Sequence, residues 1–363
     1  DQNKYITKLK ELNHILIQCK IDHKLCTNLP IKYPSKYAIK VNDTAVFHPI
    51  KYVLALKDIC LKNGIHIYER TKAIQLEKEE NYYIVKTKTN KIRAKKVVLA
   101  CHYPFFLIPG IFPFKTYLEK SYVASGVVSK NKMFNAISCK DIHSIRYHSD
   151  TKDYIIYAGL SKSLGQNMNN EKNFEELLWH VRSNLTKDIK YYWFNYDVIT
   201  PDAMPIIGNY QNDPNLFIGT GYNTWGMTNG SLAGKILSDL IKGKENKYAD
   251  LFNPSRKINI IKAINILNYD FNSSVTYVLS KLKTNYSFYP KNVKVEMRNG
   301  KKCGIYTDEE GHEHVVSNIC PHMKCNLIFN TVNKTWDCPC HGSRFDIDGK
   351  VIKGPSVYNI SIK

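Results

Sequence analysis

The chain has 363 residues, 43% of them hydrophobic, so it can bury a sizeable core and is long enough for two or three domains. Its formal charge of +20 comes from lysines scattered along the whole length, and even the densest cluster, Lys91 to Lys96, alternates along what reads as a strand hairpin. That pattern argues against nucleic acid and leaves, at most, an acidic protein as partner. No run approaches the ~18 apolar residues of a membrane helix, so no membrane span is expected.

In chain order, an amphipathic helix is expected at Lys4 to Cys19, then a loop and extended sequence to Val46. Pro49 to Asn63 reads as a helix, with Pro49 in its first turn and Gly64 as its stop. Short strands follow at Ile65–Tyr68, Ala73–Leu76, Tyr82–Thr87 and Lys96–Ala100, with more between Tyr117 and Leu160. Residues 172 to 186 are expected to be helical, with Leu177, Leu178 and Val181 on one face. Asn215 to Ile218 reads as a short buried strand running into a Gly-rich turn, Gly219 to Gly230. A helix from Ser231 to Ile241 follows, ended by Gly243.

The pattern breaks at Asn253-Pro254. Residues 255 to 285 form a polar-aromatic connector with one expected helix, Val275 to Leu282. Beyond it the chain reads as all-β. Asn299-Gly300 is a hairpin turn between Val293–Met297 and Cys303–Tyr306, and Asp348-Gly349 another between Phe345 and Val351. The fold class expected is therefore α+β: a mixed and antiparallel sheet with helices, then an all-β domain. The limits are 1–250, a connector at 251–285, and 286–363.

Six of the ten cysteines (Cys19, Cys26, Cys60, Cys101, Cys139, Cys303) are widely scattered, whereas four fall within 21 residues, from Cys320 to Cys340. They make two Cys/His loops, Cys320-Pro321-His322 and Cys338-Pro339-Cys340-His341, separated by 15 intervening residues. One Cys and one His from each loop supply two thiolates and two imidazoles, the set a Rieske 2Fe–2S centre needs. Cys325 and Cys340 are left over, one in each loop. Structural zinc also takes two Cys and two His, but a zinc finger pairs Cys with Cys and places His-His on a helix. Here each pair is mixed, and Pro321 and Pro339 make both loops poor helices.

The runs Cys320 to Cys325 (CPHMKC), Cys338 to Phe345 (CPCHGSRF) and Gly354 to Ser356 (GPS) resemble the Rieske family, and most of all its respiratory branch. The resemblance implies Cys320, His322, Cys338 and His341 as ligands and a Cys325–Cys340 disulfide beside the cluster. It also implies a shielding loop at Pro355 and a Ser343 hydroxyl aimed at a bridging sulfide. High-potential relatives carry Tyr where this chain has Phe345. A missing donor to sulfur disfavours the reduced, more negative cluster, so a lower potential is expected. Phe345→Tyr should raise the midpoint by about 40–65 mV, the one-electron equivalent of a ~1–1.5 kcal/mol hydrogen bond. An unchanged midpoint in protein-film voltammetry would sink the idea.

A cluster alone moves single electrons, so the rest of the chain sets the chemistry. Ring-hydroxylating oxygenases pair a Rieske domain with iron on two His and a carboxylate, and Asp141, His143 and His148 come close to that spacing. Those enzymes place the Rieske domain first, however, and Ile142 to Tyr157 reads as a strand pair. The better match begins at Thr200 to Gly208 (TPDAMPIIG), followed by Asn215 to Gly230 (NLFIGTGYNTWGMTNG) and the helix behind it. These resemble the flavin-contacting segment of the D-amino-acid oxidase and glycine oxidase superfamily. The resemblance implies FAD contacts at Gly221, Asn223, Trp225, Gly226, Met227 and Thr228. Lys96 to Pro104 (KVVLACHYP) resembles the strand beneath the cofactor, giving Ala100 and Cys101, and Glu69 to Ile74 the adenine segment, giving Ala73.

The whole order resembles FAD-dependent oxidoreductases of that fold with a fused C-terminal Rieske domain. No G-x-G-x-x-G run is found, and the only glycine before residue 100 is Gly64. A stretch on the order of a hundred residues carrying the phosphate cradle is expected ahead of Asp1. The expected activity is oxidation of a small donor (an amine or similar) at FAD, coupled through the cluster to an external one-electron carrier. The alternative is a Rieske electron-transfer protein whose truncated oxidase domain is scaffold. No catalytic residue is assigned, and a cytoplasmic location is expected.

Overall fold

His48 sets the start of the first well-defined helix, Pro49–Lys62: its Nδ1 accepts from the Lys51 amide at 3.4 Å, and Pro49 occupies the first turn, where no N–H is needed. The helix closes on Asn63 and on Gly64 at φ +74°. In this computed structural model the described residues are 2–27, 37–103, 116–129, 136–139, 143–149, 153–164, 170–210, 213–257 and 289–362. The connector helix expected at Val275–Leu282, and Asp141, lie outside them.

The chain divides into two interleaved units. The first comprises residues 1–66, 121–161 and 172–194. It holds the helices Gln2–Gln18 and Pro49–Lys62, the antiparallel pair His23–Cys26 with Ala38–Val41, and the helix Asn170–Asn184 for most of its length. Its residues make up most of a five-stranded sheet of order Ile189–Ile199, Tyr117–Val127, Asp153–Ser163, His143–Ser149 and Ala136–Cys139. Tyr122, Leu177 and Val181 are fully buried; Tyr122 packs edge-on to Phe174 at 5.0 Å and its hydroxyl accepts from Asn173 at 2.9 Å. His143 and His148 lie on a strand paired antiparallel with Asp153–Ser163. No residue of Pro49–Lys62 is buried, and Ile50, Val53, Leu54 and Ile59 are exposed on it.

The second unit comprises residues 67–120, 162–171 and 195–363. Ala73–Lys78, Tyr83–Thr87 and Lys91–Ala94 form an antiparallel meander. A second sheet places Leu216–Thr220 between the antiparallel strand Ile206–Asn209 and the parallel strand Val97–Leu99. The helix Gly226–Ile241 packs Ala233, Ile236 and Leu237 with Ile207 and Phe217 of this sheet. Two small antiparallel sheets complete the unit: Val293–Arg298, Lys301–Thr307 and Glu313–Ser317, then Ile328–Asn330, Thr335–Asp337, Arg344–Phe345 and Val351–Lys353. The hairpin expected at Asn299-Gly300 is present, with φ +50° and +71°. Trp336 and Phe345 are fully buried, and Trp336 lies edge-on to Phe329 at 5.0 Å. Gly304 makes room for it: a Cβ there would fall 2.5 Å from the indole.

Two sequence expectations are corrected. Residues 65–68 are not a strand; Ile65, Ile67 and Tyr68 are exposed, and no strand pairs with them among the described residues. The last helix begins at Gly226 rather than Ser231, so Gly226, Met227 and Thr228 form its first turn. Among the described residues no helix is long and apolar enough to cross a membrane.

Candidate functional site

Two loops with one hydrogen-bonding plan carry Cys320, His322, Cys338 and His341. In the first, the Cys320 amide donates to the Cys325 carbonyl (2.8 Å) and the Lys324 amide to the Cys320 carbonyl (2.9 Å). In the second, the Cys338 amide donates to the Ser343 carbonyl (2.7 Å) and the Gly342 amide to the Cys338 carbonyl (3.1 Å). The fifth residue of each loop is left-handed, Lys324 at φ +59° and Gly342 at φ +71°. Each loop thereby curls around its leading sulfur. Cys320 Sγ accepts from the amides of His322 and Met323, and Cys338 Sγ from those of Cys340 and His341. Such N–H···S bonds favour the anionic thiolate that binds metal.

The two thiols bond to each other, which with these amides and the Ser343 hydroxyl pulls Cys320 down to about 7 against the effect of burial. Cys338 is pushed up by Cys320 and by burial. Burial holds the His322 imidazole down to about 4. Burial and the neighbouring His322 hold His341 down to about 3. Both rings are therefore neutral at pH 7, the form in which imidazole ligates a metal. They stand 5.0 Å apart at 84°, and both Nδ1 atoms are buried without a hydrogen-bond partner. Two orphaned nitrogens and two paired buried sulfurs fit the donor set of a 2Fe–2S centre of Rieske type.

Cys325 and Cys340 are joined as a disulfide across the two loops, with Cα atoms 6.6 Å apart. Ser343, fully buried, accepts from the Ser356 amide at 2.9 Å while bonding Cys320. This ties the third loop to the ligand loops. Pro355, after a cis peptide, is buried in that loop, and Lys72 donates to the Ser356 carbonyl at 2.9 Å. Phe345 is fully buried in the core of the same domain, beside Trp336 in the ladder.

The second cluster of candidates sits at the carboxyl ends of the parallel strands Val97–Leu99 and Leu216–Thr220, where open α/β sheets bind their ligands. Ala100 and Cys101 leave the first strand exposed, and the Thr220 hydroxyl donates to the carbonyl of His102. Gly221 is at φ +69°, with Thr200 Cγ2 2.7 Å from where its Cβ would stand, so only glycine fits. Asn223 spends its side chain bracing this turn: it accepts from the Thr200 amide (2.8 Å) and donates to the Gly221 carbonyl (2.7 Å). Trp225 is exposed at the helix N-cap; no side chain caps the helix and no acid lies in its first turn. The space beside Gly226 is open. Uncapped N–H groups there suit an anionic ring system. Ala73 opens the separate meander and is not brought to this turn by strand pairing.

Residues 17–240 match the FAD dependent oxidoreductase family, and residues 280–362 the Rieske [2Fe-2S] domain. The chain is 32% identical over 347 residues to the Bacillus subtilis (strain 168) protein YhfW, described as a Rieske 2Fe-2S iron-sulfur protein, covering 93% of this chain and 68% of that one. A stretch of 49 residues is 43% identical to the mitochondrial cytochrome b-c1 complex subunit Rieske-4 of Nicotiana tabacum, 13% of this chain and 21% of that one. The fold is similar to that of the L-amino acid deaminase from Proteus vulgaris, with a TM-score of 0.57, 14% identity, and coverage of 71% and 76%. The two domains imply FAD and a 2Fe–2S cluster as cofactors. The chain belongs to the FAD dependent oxidoreductase family and carries a Rieske [2Fe-2S] domain at its C-terminal end.

Proposed function

We propose that the protein couples FAD-dependent oxidation of a small donor, an amine or similar, to one-electron transfer through a cluster held by Cys320, His322, Cys338 and His341. The observation that carries the proposal is the pair of buried, partnerless Nδ1 atoms beside two bonded sulfurs, in the same unit as the flavin-family turn. We assign residues 1–250 to the oxidoreductase domain, 251–285 to a connector and 286–363 to the cluster domain. The amine class of donor is supported by the fold shared with an amino acid deaminase. Cys19, Cys26, Cys60 and Cys303 lie outside the ligand pair and in no disulfide, which favours a reducing compartment such as the cytoplasm.

When bound, the flavin supplies two-electron and the cluster one-electron chemistry. The chain's own part is placement and charge. Asn223 and Gly221 fix the turn after Leu216–Thr220, and the bare start of Gly226–Ile241 offers N–H groups to negative charge. Four backbone amides and the Ser343 hydroxyl point at the two sulfurs and stabilise their anionic form.

The visible spectrum of the anaerobically purified full-length gene product tests this reading. Flavin and cluster bands together are expected. Cluster bands alone would make the protein an electron carrier built on an oxidase scaffold. Colourless protein with stoichiometric zinc would remove the redox function altogether.

A further inference from the structure

Tyr103 touches both redox regions of the second unit. Its ring packs against the core of Tyr83, Leu99, Ile206, Tyr210, Leu216 and Ile218, which carries the flavin-side strands. The same ring lies 5.5 Å, centroid to centroid, from the imidazole of His341. Tyr103 follows Cys101 and His102 directly, so backbone runs from the end of Val97–Leu99 to this ring without a break. A second aromatic holds the same place: the Tyr196 ring lies 3.0 Å from where a Gly342 Cβ would stand, and the Tyr196 backbone bonds the His102 side chain. His341 is thus seated on a residue of the flavin-side core, and Gly342 on Tyr196, whose backbone holds His102. His322 differs, because its loop neighbours Met323 (41% exposed) and Lys324 face solvent.

We propose that electrons reach the cluster through Tyr103 and His341, and that the His322 loop is the face offered to the external carrier. This rests on the coupled function proposed above. The donor loses a hydride, two electrons with one proton, to the flavin. Those two electrons leave one at a time by way of Tyr103 and His341, and the proton passes to solvent. Two molecules of an oxidised one-electron carrier each gain one electron at the His322 face. Tyr103 acts as a packed contact and is neither oxidised nor reduced. It is a positioning residue.

The test compares two routes of cluster reduction in the full-length protein carrying both cofactors. One route is flash photoreduction of the flavin with a sacrificial amine, and the other is direct mixing with dithionite. In wild type the cluster is expected to bleach after the flavin; if it never does, the coupled function fails before Tyr103 is at issue. Tyr103→Leu is expected to slow the flavin route by about tenfold or more, the scale set by losing an outer contact of a metal ligand, and to leave the dithionite route unchanged. Tyr103→Phe, which keeps the ring, is expected to retain the wild-type rate. An unchanged flavin route in Tyr103→Leu, equal slowing of both routes, or equal loss in Tyr103→Phe overturns the proposal. A second arm does not depend on tolerance at position 103. Exposed Lys324→Glu is expected to slow cluster oxidation by ferricyanide several-fold at low salt and less at high salt, each rate taken relative to the same variant's dithionite-reduction rate. No effect on ferricyanide overturns the exit face.

Discussion

Cys338→Ser is expected to abolish the iron–sulfur chromophore, with iron and sulfide at background and no EPR signal on reduction with dithionite. The Cys338 sulfur is buried, accepts from the amides of Cys340 and His341, and bonds Cys320. A serine oxygen is a harder donor with a shorter reach, poorly suited to an iron–sulfide core. Losing one of the four proposed ligands is therefore expected to remove the cluster and not merely weaken it. Cys303→Ser is the matched control. Cys303 is equally buried in the same domain, and its thiol donates to the Lys301 carbonyl at 3.4 Å. That variant is expected to keep its full iron content. Iron analysis beside far-ultraviolet circular dichroism checks both; a Cys338→Ser protein with normal iron would remove Cys338 from the ligand set.

The second large effect lies at Arg256. Its Nε and Nη2 donate to the two carboxylate oxygens of Asp202 at 2.8 and 3.0 Å, and Nη2 and Nη1 donate to the carbonyls of Met204 (2.7 Å) and Pro205 (2.9 Å). Both side chains are largely buried, 13% and 14% exposed. Arg256 thus clamps the loop from Thr200 to Pro205, and Thr200 in turn is bonded to Asn223 of the flavin-side turn. Arg256→Ala leaves a buried carboxylate unpaired and is expected to cost about 3 kcal/mol. Burial is the largest single influence on Asp202 and opposes its ionisation, but the hydrogen bonds and charge of Arg256, the Met204 amide and the Thr200 hydroxyl together outweigh it and hold Asp202 below the usual aspartate range. The pair's contribution is therefore present above that ordinary range and is lost as the pH falls through the depressed value. Urea unfolding should show a large gap between wild type and Arg256→Ala at pH 7 that narrows in acid. A gap independent of pH would mean that the clamp acts through packing alone.

The cluster loops were legible in sequence because each is a local device. The backbone hydrogen bonds that curl each loop join residues at most five apart, and the candidate ligand types fall inside the two short runs. The hairpin at Asn299-Gly300 was legible for the same reason, since a two-residue turn carries its own backbone preference. Longer-range features were not. Ile65–Tyr68 has strand composition but no partner strand among the described residues. The start of the helix at Gly226 was hidden because Gly226 and Gly230 are poor helix formers and Trp225 is no customary cap; packing of Ala233, Ile236 and Leu237 carries the helix instead. The commitment of the Asn223 side chain to Thr200 and Gly221 is likewise a partnership set by the fold. Tyr103 lies inside the run Lys96 to Pro104, but nothing in that run set it apart from its neighbours. Its contact with His341 joins positions far apart in the chain.

Pulsed EPR on the dithionite-reduced protein, with isotope-labelled histidine nitrogen, tests the ligand set most directly. Two inequivalent histidine nitrogens coupled to the reduced cluster are expected, from His322 and His341, with one coupling missing when either is replaced and any cluster survives. A reduced cluster with no histidine coupling, or a protein loaded with zinc and no iron, would contradict the assignment of this site.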